Sequence, residues 1–221
     1  MGLMYNTMIQ IQIWGDFECP YSYLQTVALA KLKERYQDGI EIIWRAIELT
    51  PTIGTMPPSD SYLKKLQQAA LEPIVQEEKL VLATPAFLTY TWLAQESVCF
   101  ANKHGKSLQL ALAIFKAVFS QGANISNEDE IITLAAQVGV EPNALREAFD
   151  DGVVTKQVIA DEEEFKANGF QGVPAMLIGE KNFSPKSFMP VTGFATVDEL
   201  EKLIPSRTLS SGTWAKRASF D

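Results

Sequence analysis

The sequence predicts an α/β protein whose sheet-forming part is interrupted by a large all-helical insertion. Three observations carry that expectation. Apolar residues alternate at Ile9, Ile11 and Ile13 and again at Ile40, Ile42 and Trp44, with helical spacing between the two runs. From Ser61 to about Asn168 nearly every segment repeats its apolar residues at helical intervals. Strand signals then return at Ala175.

Ile9, Ile11 and Ile13 alternate with Gln10 and Gln12, the period of a half-buried strand, and Gly15 stops the run after Trp14. Asp16 to Cys19 form a short loop. Pro20 opens a helix, because its missing N–H costs nothing at a first helical position. Tyr23, Val27, Ala30 and Leu32 carry the helix to Tyr36, and Gly39 ends it. A second strand starts at Ile40. Strand, helix and strand make a βαβ unit, and a right-handed crossover sets its strands parallel.

The segment from Thr50 to Pro58 is loop, with Pro51, Pro57, Pro58 and Gly54. Breaks at Pro73, Thr84-Pro85, Gly105, Gly122, Gly139-Val140 and Gly152 divide the stretch from Ser61 to Asn168 into about six helices, more than a connection between strands requires. Ser126 with Asp129 reads as a capping box, and Pro142 suits a first helical turn. Ala175 to Ile178, ended by Gly179, is a short strand. Phe188 to Thr192 pairs with it as a hairpin neighbour, and Pro190 puts that neighbour at an edge. Thr196 and Glu199 form a second capping box, opening a helix through Leu203. The stretch from Pro205 to Asp221 is polar and without periodicity, either weakly ordered or docked. The predicted division is 8–55, strand–helix–strand; 56–152, inserted helices; 153–205, helix, Gly-Val-Pro loop, strand hairpin and helix; and 206–221, a tail.

The 221 residues carry 19 Lys and Arg against 27 Asp and Glu, a net charge of −8, which argues against a nucleic-acid partner. The most apolar stretch, Leu108 to Phe119, is broken by Lys116 and reads as a buried helix, not a membrane span. Residues 1–10 lack the pattern of a secretory signal. A cytoplasmic protein is the expectation. Two cysteines cannot build a disulfide framework and lack zinc-ligand company, so no metal is expected.

Cys19 is the informative residue. It precedes the Pro-started helix, so its sulfur is expected beside the open N–H groups of the first turn, where backbone and helix dipole favour a thiolate. Ser22, three residues on and on the same face, is expected to donate a hydrogen bond to that thiolate. Glu18 opposes it by charge. A free cysteine is more often a small buried hydrophobe, and Cys99, between Val98 and Phe100, fits that bland reading.

The segment Trp14-x-Asp16-x-x-Cys19-Pro20-Tyr21-Ser22-Tyr23-Leu24 resembles the active-site segment of DsbA-like thioredoxin-fold proteins. Within them it is most similar to the FrnE-like branch, near 2-hydroxychromene-2-carboxylate isomerases and kappa-class glutathione transferases. Trp44-Arg45 with Glu48-Leu49-Thr50-Pro51, the helix Leu112 to Phe119, and Gly172-Val173-Pro174 extend the resemblance from about Ile9 to Ile204. The resemblance implies a thioredoxin-like fold in which Pro174 is cis and faces the sulfur. It further implies substrate contact at Pro20, Tyr21, Val173 and Pro174, with Val173 offering its backbone to an extended substrate. One departure matters. Redox members carry Cys-x-x-Cys, and here Ser22 replaces the second thiol, so a mixed disulfide would need an outside thiol to resolve it.

Other candidates are weaker. His104 sits at a helix C-terminus, where capping is the plainer role. Asp161 to Glu164 read as a solvated charged face. Arg45 suits either an anionic substrate or a surface ion pair, and the sequence does not place Lys64 and Lys65. The leading expectation is a monothiol oxidoreductase with Cys19 and Ser22 catalytic, no tightly bound cofactor, and glutathione as co-substrate. Its partners would be small thiols or protein disulfides. A homodimer is compatible, since related folds pair through exposed helices. The alternatives are a glutathione-dependent isomerase or transferase, and an idle fold used for binding.

Overall fold

The computed structural model describes residues 8–49 and 54–204. Thr50-Pro51 of the resemblance and the tail after Ile204 therefore lie outside the described residues. β1 (Ile9–Gly15), α1 (Pro20–Tyr36) and β2 (Ile40–Ala46) come first, as the periodicity predicts. β1 and β2 are parallel, with Ile9 opposite Ile40 and Gly15 opposite Ala46. β5 (Ala175–Glu180) runs antiparallel along the other side of β1, and β6 (Met189–Thr192) lies at the edge, giving the order β2-β1-β5-β6. Pro190 stands opposite Leu177 on that edge strand, where a missing N–H breaks no further ladder.

β1 is buried almost throughout rather than half-buried. Its isoleucines join Leu24, Leu29 and Leu32 of α1, while Trp14 joins Ala175, Leu177 and Phe165 on the opposite face. A central strand covered on both faces hides its polar alternates too. Gln12 is satisfied in place, donating to Gln10 at 2.8 Å and accepting from Arg45 at 2.9 and 3.1 Å.

Between β2 and β5 the described residues hold seven helices. They are α2 (Asp60–Ala69), α3 (Pro73–Glu77), α4 (Trp92–Asn102), α5 (Ser107–Lys116), α6 (Glu128–Gln137), α7 (Pro142–Asp150) and α8 (Val153–Ala167). One apolar cluster runs from Ile9 and Leu24 through Val98 and Phe115 to Leu145, so these helices share the core of the sheet. Two details depart from the sequence expectation. Residues Thr55–Met56 (β3) and Leu88–Thr89 (β4) pair as a small antiparallel ribbon, in strands too short to show a period. Helix α6 is capped by Asn127, whose side chain accepts from Asp129 N–H at 2.9 Å, and not by Ser126, which turns back to Asn124. α9 (Val197–Leu203) does open on the Thr196–Glu199 capping box. No helix among the described residues is long and apolar enough to cross a membrane.

Candidate active site

Cys19 is the N-cap of α1, with extended backbone, and Pro20 takes the first helical position. The loop that presents it is organised by Asp16. The Asp16 carbonyl accepts from Cys19 N–H at 3.0 Å, closing a turn, and its Oδ1 accepts from Glu18 N–H at 2.9 Å, as short aspartate side chains do in turns. Asp16 Oδ2 accepts from Leu49 N–H at 2.6 Å, tying this loop to the chain leaving β2.

The thiol does not cap its helix. No backbone N–H of the first turn bonds the sulfur, and the thiol instead donates to the carbonyl of Val173 at 3.7 Å. The Val173-Pro174 peptide bond is cis. Trp14 and Ala175 face each other across β1 and β5, so the end of one strand and the start of the other bring Cys19 and Val173 together. Cys19 is 3% exposed, in a cluster with Trp14, Val173 and Phe170 against which the partly buried Tyr21 packs. Pro20 and Tyr21 are thus beside Cys19, and Val173 and Pro174 are across from it.

Ser22 departs from expectation. It is fully buried, and its Oγ accepts the Asp16 N–H at 3.4 Å; no hydrogen bond joins it to Cys19 among the described residues. It packs close under the end of β1, its Cβ 3.3 Å from where a Gly15 side chain would begin. Ser22 braces the turn.

Around the Asp16 loop stand more acids than the sequence pattern alone brings together. Glu18 accepts from Thr89 N–H, and Glu48 accepts from both N–H and hydroxyl of Thr91, at 2.8 and 3.0 Å. Glu162 accepts from Glu48 N–H at 3.2 Å. Burial raises the Asp16 carboxyl from 3.8 to about 6, against the Glu18 and Leu49 N–H groups and the charge of Lys65, which lower it. Burial likewise raises Glu48 from 4.5 to about 7, with the charges of Asp16 and Glu162 adding to it. Lys65 is therefore placed beside the site; Lys64 is exposed.

The remaining candidates fall into supporting roles. Asp161, expected on a solvated face, is 1% exposed. It holds Arg45 at 2.8 Å and Ala46 N–H at 3.1 Å, because α8 packs against β2 and needs an acid there. Arg45 is thus an internal ion pair, stacked near the Trp14 ring at 5.9 Å. Cys99 donates to Asp161 at 3.5 Å, and burial pushes its thiol well up, helped by that carboxylate. His104 follows the end of α4 against Phe100. Gln95 and Tyr62 carry no sequence signal, since each stands alone on a helix whose pattern marks only its apolar face. Gln95 links Trp44, Gly15 and Ile47 with bonds of 2.9, 3.0 and 2.9 Å.

A cysteine heading the helix after a central strand, opposed by a cis-proline loop before an antiparallel strand, defines a thioredoxin-like protein. Residues 10–204 match the model of the DSBA-like thioredoxin domain, and the chain belongs to that family. Among solved structures it is similar to a probable DsbA oxidoreductase of Streptomyces coelicolor, with TM-score 0.70, 21% identity, and coverage of 93% of this chain and 92% of that one. It is similar to a 2-hydroxychromene-2-carboxylate isomerase, with TM-score 0.66, 22% identity, and coverage of 88% and 92%. It is also similar to the cytosolic disulfide reductase DsbM of Pseudomonas aeruginosa solved with GSH, with TM-score 0.60, 15% identity, and coverage of 82% and 89%.

Proposed function

We propose that the protein is a cytoplasmic thiol–disulfide oxidoreductase working through the single thiol of Cys19. One observation carries the reading: the Cys19 sulfur faces the Val173 carbonyl at 3.7 Å, where an extended substrate backbone would lie along the loop before β5. The Cys19 thiolate attacks a disulfide, forming a mixed disulfide and releasing one thiolate. Ser22 has no sulfur to resolve it. A second thiol, glutathione or a protein cysteine, attacks the mixed disulfide and returns Cys19 to the thiolate. The similarity to a disulfide reductase solved with GSH supports glutathione as that co-substrate. Pro20 and Tyr21, beside Cys19, and Pro174, across from it, complete the substrate wall.

Incubation with oxidised glutathione and intact-mass measurement tests the reading. One glutathione adduct on Cys19 is expected, and none in Cys19→Ser. An adduct only on Cys99 would overturn it. The likeness to an isomerase favours one second reading, in which bound glutathione supplies the sulfur and Cys19 merely positions it. Isomerase turnover surviving Cys19→Ser would select that reading. Ser22→Cys addresses a binding-only role: disulfide reductase activity appearing in that variant would speak for an intact redox site.

A further inference from the structure

Tyr62 lies in the first turn of α2, fixed there by Ser59, whose hydroxyl accepts its N–H at 3.2 Å. Its phenol oxygen is buried and has no hydrogen-bond partner among the described residues. That is an unfavourable place for a hydroxyl, because a buried donor without an acceptor forfeits the bond it made in water. Its charged neighbours are Glu18, Cys19 and Asp16. All three are already engaged with other groups: Glu18 accepts from Thr89 N–H, Asp16 holds two backbone N–H groups, and the Cys19 thiol is turned toward Val173. The phenol therefore bonds none of them, and its donor is unused in the reduced protein.

We propose that Tyr62 is a catalytic residue whose phenol donates a hydrogen bond to the sulfur expelled when Cys19 attacks a disulfide. The inference rests on the oxidoreductase reading above. A bond forms between the Cys19 sulfur and the near sulfur of the substrate, and the substrate's S–S bond breaks. The far sulfur, about 2 Å beyond the near one before cleavage, leaves with the electron pair as a thiolate on the side of Tyr62. The phenol shares its proton with that thiolate and keeps it, and water finally protonates the product thiol. Cys19 ends in the mixed disulfide, and half of the substrate ends as thiol. Burial and the nearby negative charges hold the phenol in its protonated form, above its ordinary pKa. This is the donor role that Ser22, turned under the loop, does not fill.

The dependence on the leaving group tests the assignment. A donor to the leaving sulfur matters for a basic thiolate and hardly at all for one that leaves unaided. Rate constants are measured for the parent and Tyr62→Phe with oxidised glutathione and with an aromatic disulfide that releases nitrothiobenzoate. The variant is expected to lose about tenfold with oxidised glutathione, the worth of one hydrogen bond, and less than about twofold with the aromatic disulfide. The ratio of the two rates is taken on one sample, so any loss of folded protein cancels. Equal losses with both disulfides, or none with either, would overturn the role of Tyr62 while leaving the monothiol function standing. A parent protein that forms no Cys19 adduct would overturn both.

Discussion

The thiol of Cys19 meets the carbonyl of Val173 at 3.7 Å, across 154 positions of chain. Neither residue is brought there by its own helix or loop. β1 and β5 are antiparallel neighbours, with Ile9 opposite Glu180 and Trp14 opposite Ala175, so the loop leaving β1 and the loop entering β5 share one end of the sheet. The same end receives Leu49, just past β2, through Asp16. Three loops therefore meet around Cys19 and Asp16, and α8 adds the Glu162 carboxylate, which accepts from Glu48 N–H.

The two cysteines should separate sharply in reactivity, although they are 3% and 4% exposed. Cys99 donates to Asp161 inside the α4–α8 contact, and burial pushes its thiol well up, which suppresses the nucleophilic thiolate. Cys19 lies at the end of a helix in a cluster bordered by the partly exposed Tyr21, and its thiol meets a carbonyl and not a carboxylate. Alkylation of the native protein should give one adduct, on Cys19, and a second only in denaturant. Peptide mapping reads the positions. Two adducts under native conditions would contradict this placement.

Gln95 is the polar staple beneath the site. Its amide nitrogen donates to the carbonyls of Gly15 and Ile47, and its oxygen accepts from the Trp44 indole. Gln95→Leu keeps the volume and strands three buried groups at once. A loss of about 2–5 kcal/mol is expected from the cost of unpaired buried polar groups. Denaturant midpoints measure it. A loss below about 1 kcal/mol would mean that water takes over these bonds.

The parts of the fold legible in the sequence are those with a period or a cap. Ile9–Ile13, the Pro20 helix start, Pro190 at the edge and the Thr196–Glu199 box are local signals, and each stands where it is expected. The site is legible at Cys19, Val173 and Pro174 through resemblance, while the partner of Ser22 is not. A spacing of three puts Cys19 and Ser22 on one helical face, yet the hydroxyl accepts from Asp16 N–H, a partner that the spacing does not announce. Asp161 shows the same limit. Its neighbours Glu162 to Glu164 read as solvated, and only the docking of α8 on β2 reveals that Arg45 and Ala46 need the first acid of that run.

Gly15 should not tolerate a side chain. A Cβ there would come within 2.7 Å of the Trp44 ring and 3.3 Å of the Ser22 Cβ. The ring cannot retreat freely, because it stacks on Phe17 at 5.0 Å and is held by Gln95. Gly15→Ala should therefore destabilise by about 1–3 kcal/mol, the usual cost of overpacking. Tryptophan fluorescence should shift with it. An unchanged spectrum and melting point would show that β1 can move away from the ring.

Asp16 should give the protein a stability that falls as the solution becomes neutral. Its carboxyl sits at about 6 in the folded chain against an ordinary 3.8, raised by burial first. Below pH 4 both states are protonated and the folded form carries no charge on this carboxyl. Between 4 and 6 the unfolded chain releases the proton while the folded chain retains it, so stability is lost as pH rises, and above 6 the loss is complete. At about 1.4 kcal/mol per pH unit, the difference amounts to roughly 3 kcal/mol. Glu48, raised to about 7 and coupled to Asp16 by charge, acts in the same direction without adding in full. Acidifying from pH 7.5 to 5 should raise the Tm by about 5 °C. Asp16→Asn should lower stability at pH 5, since its amide cannot accept from both Glu18 and Leu49, and should flatten the pH dependence. A variant that keeps the full slope would assign the titration to Glu48 alone.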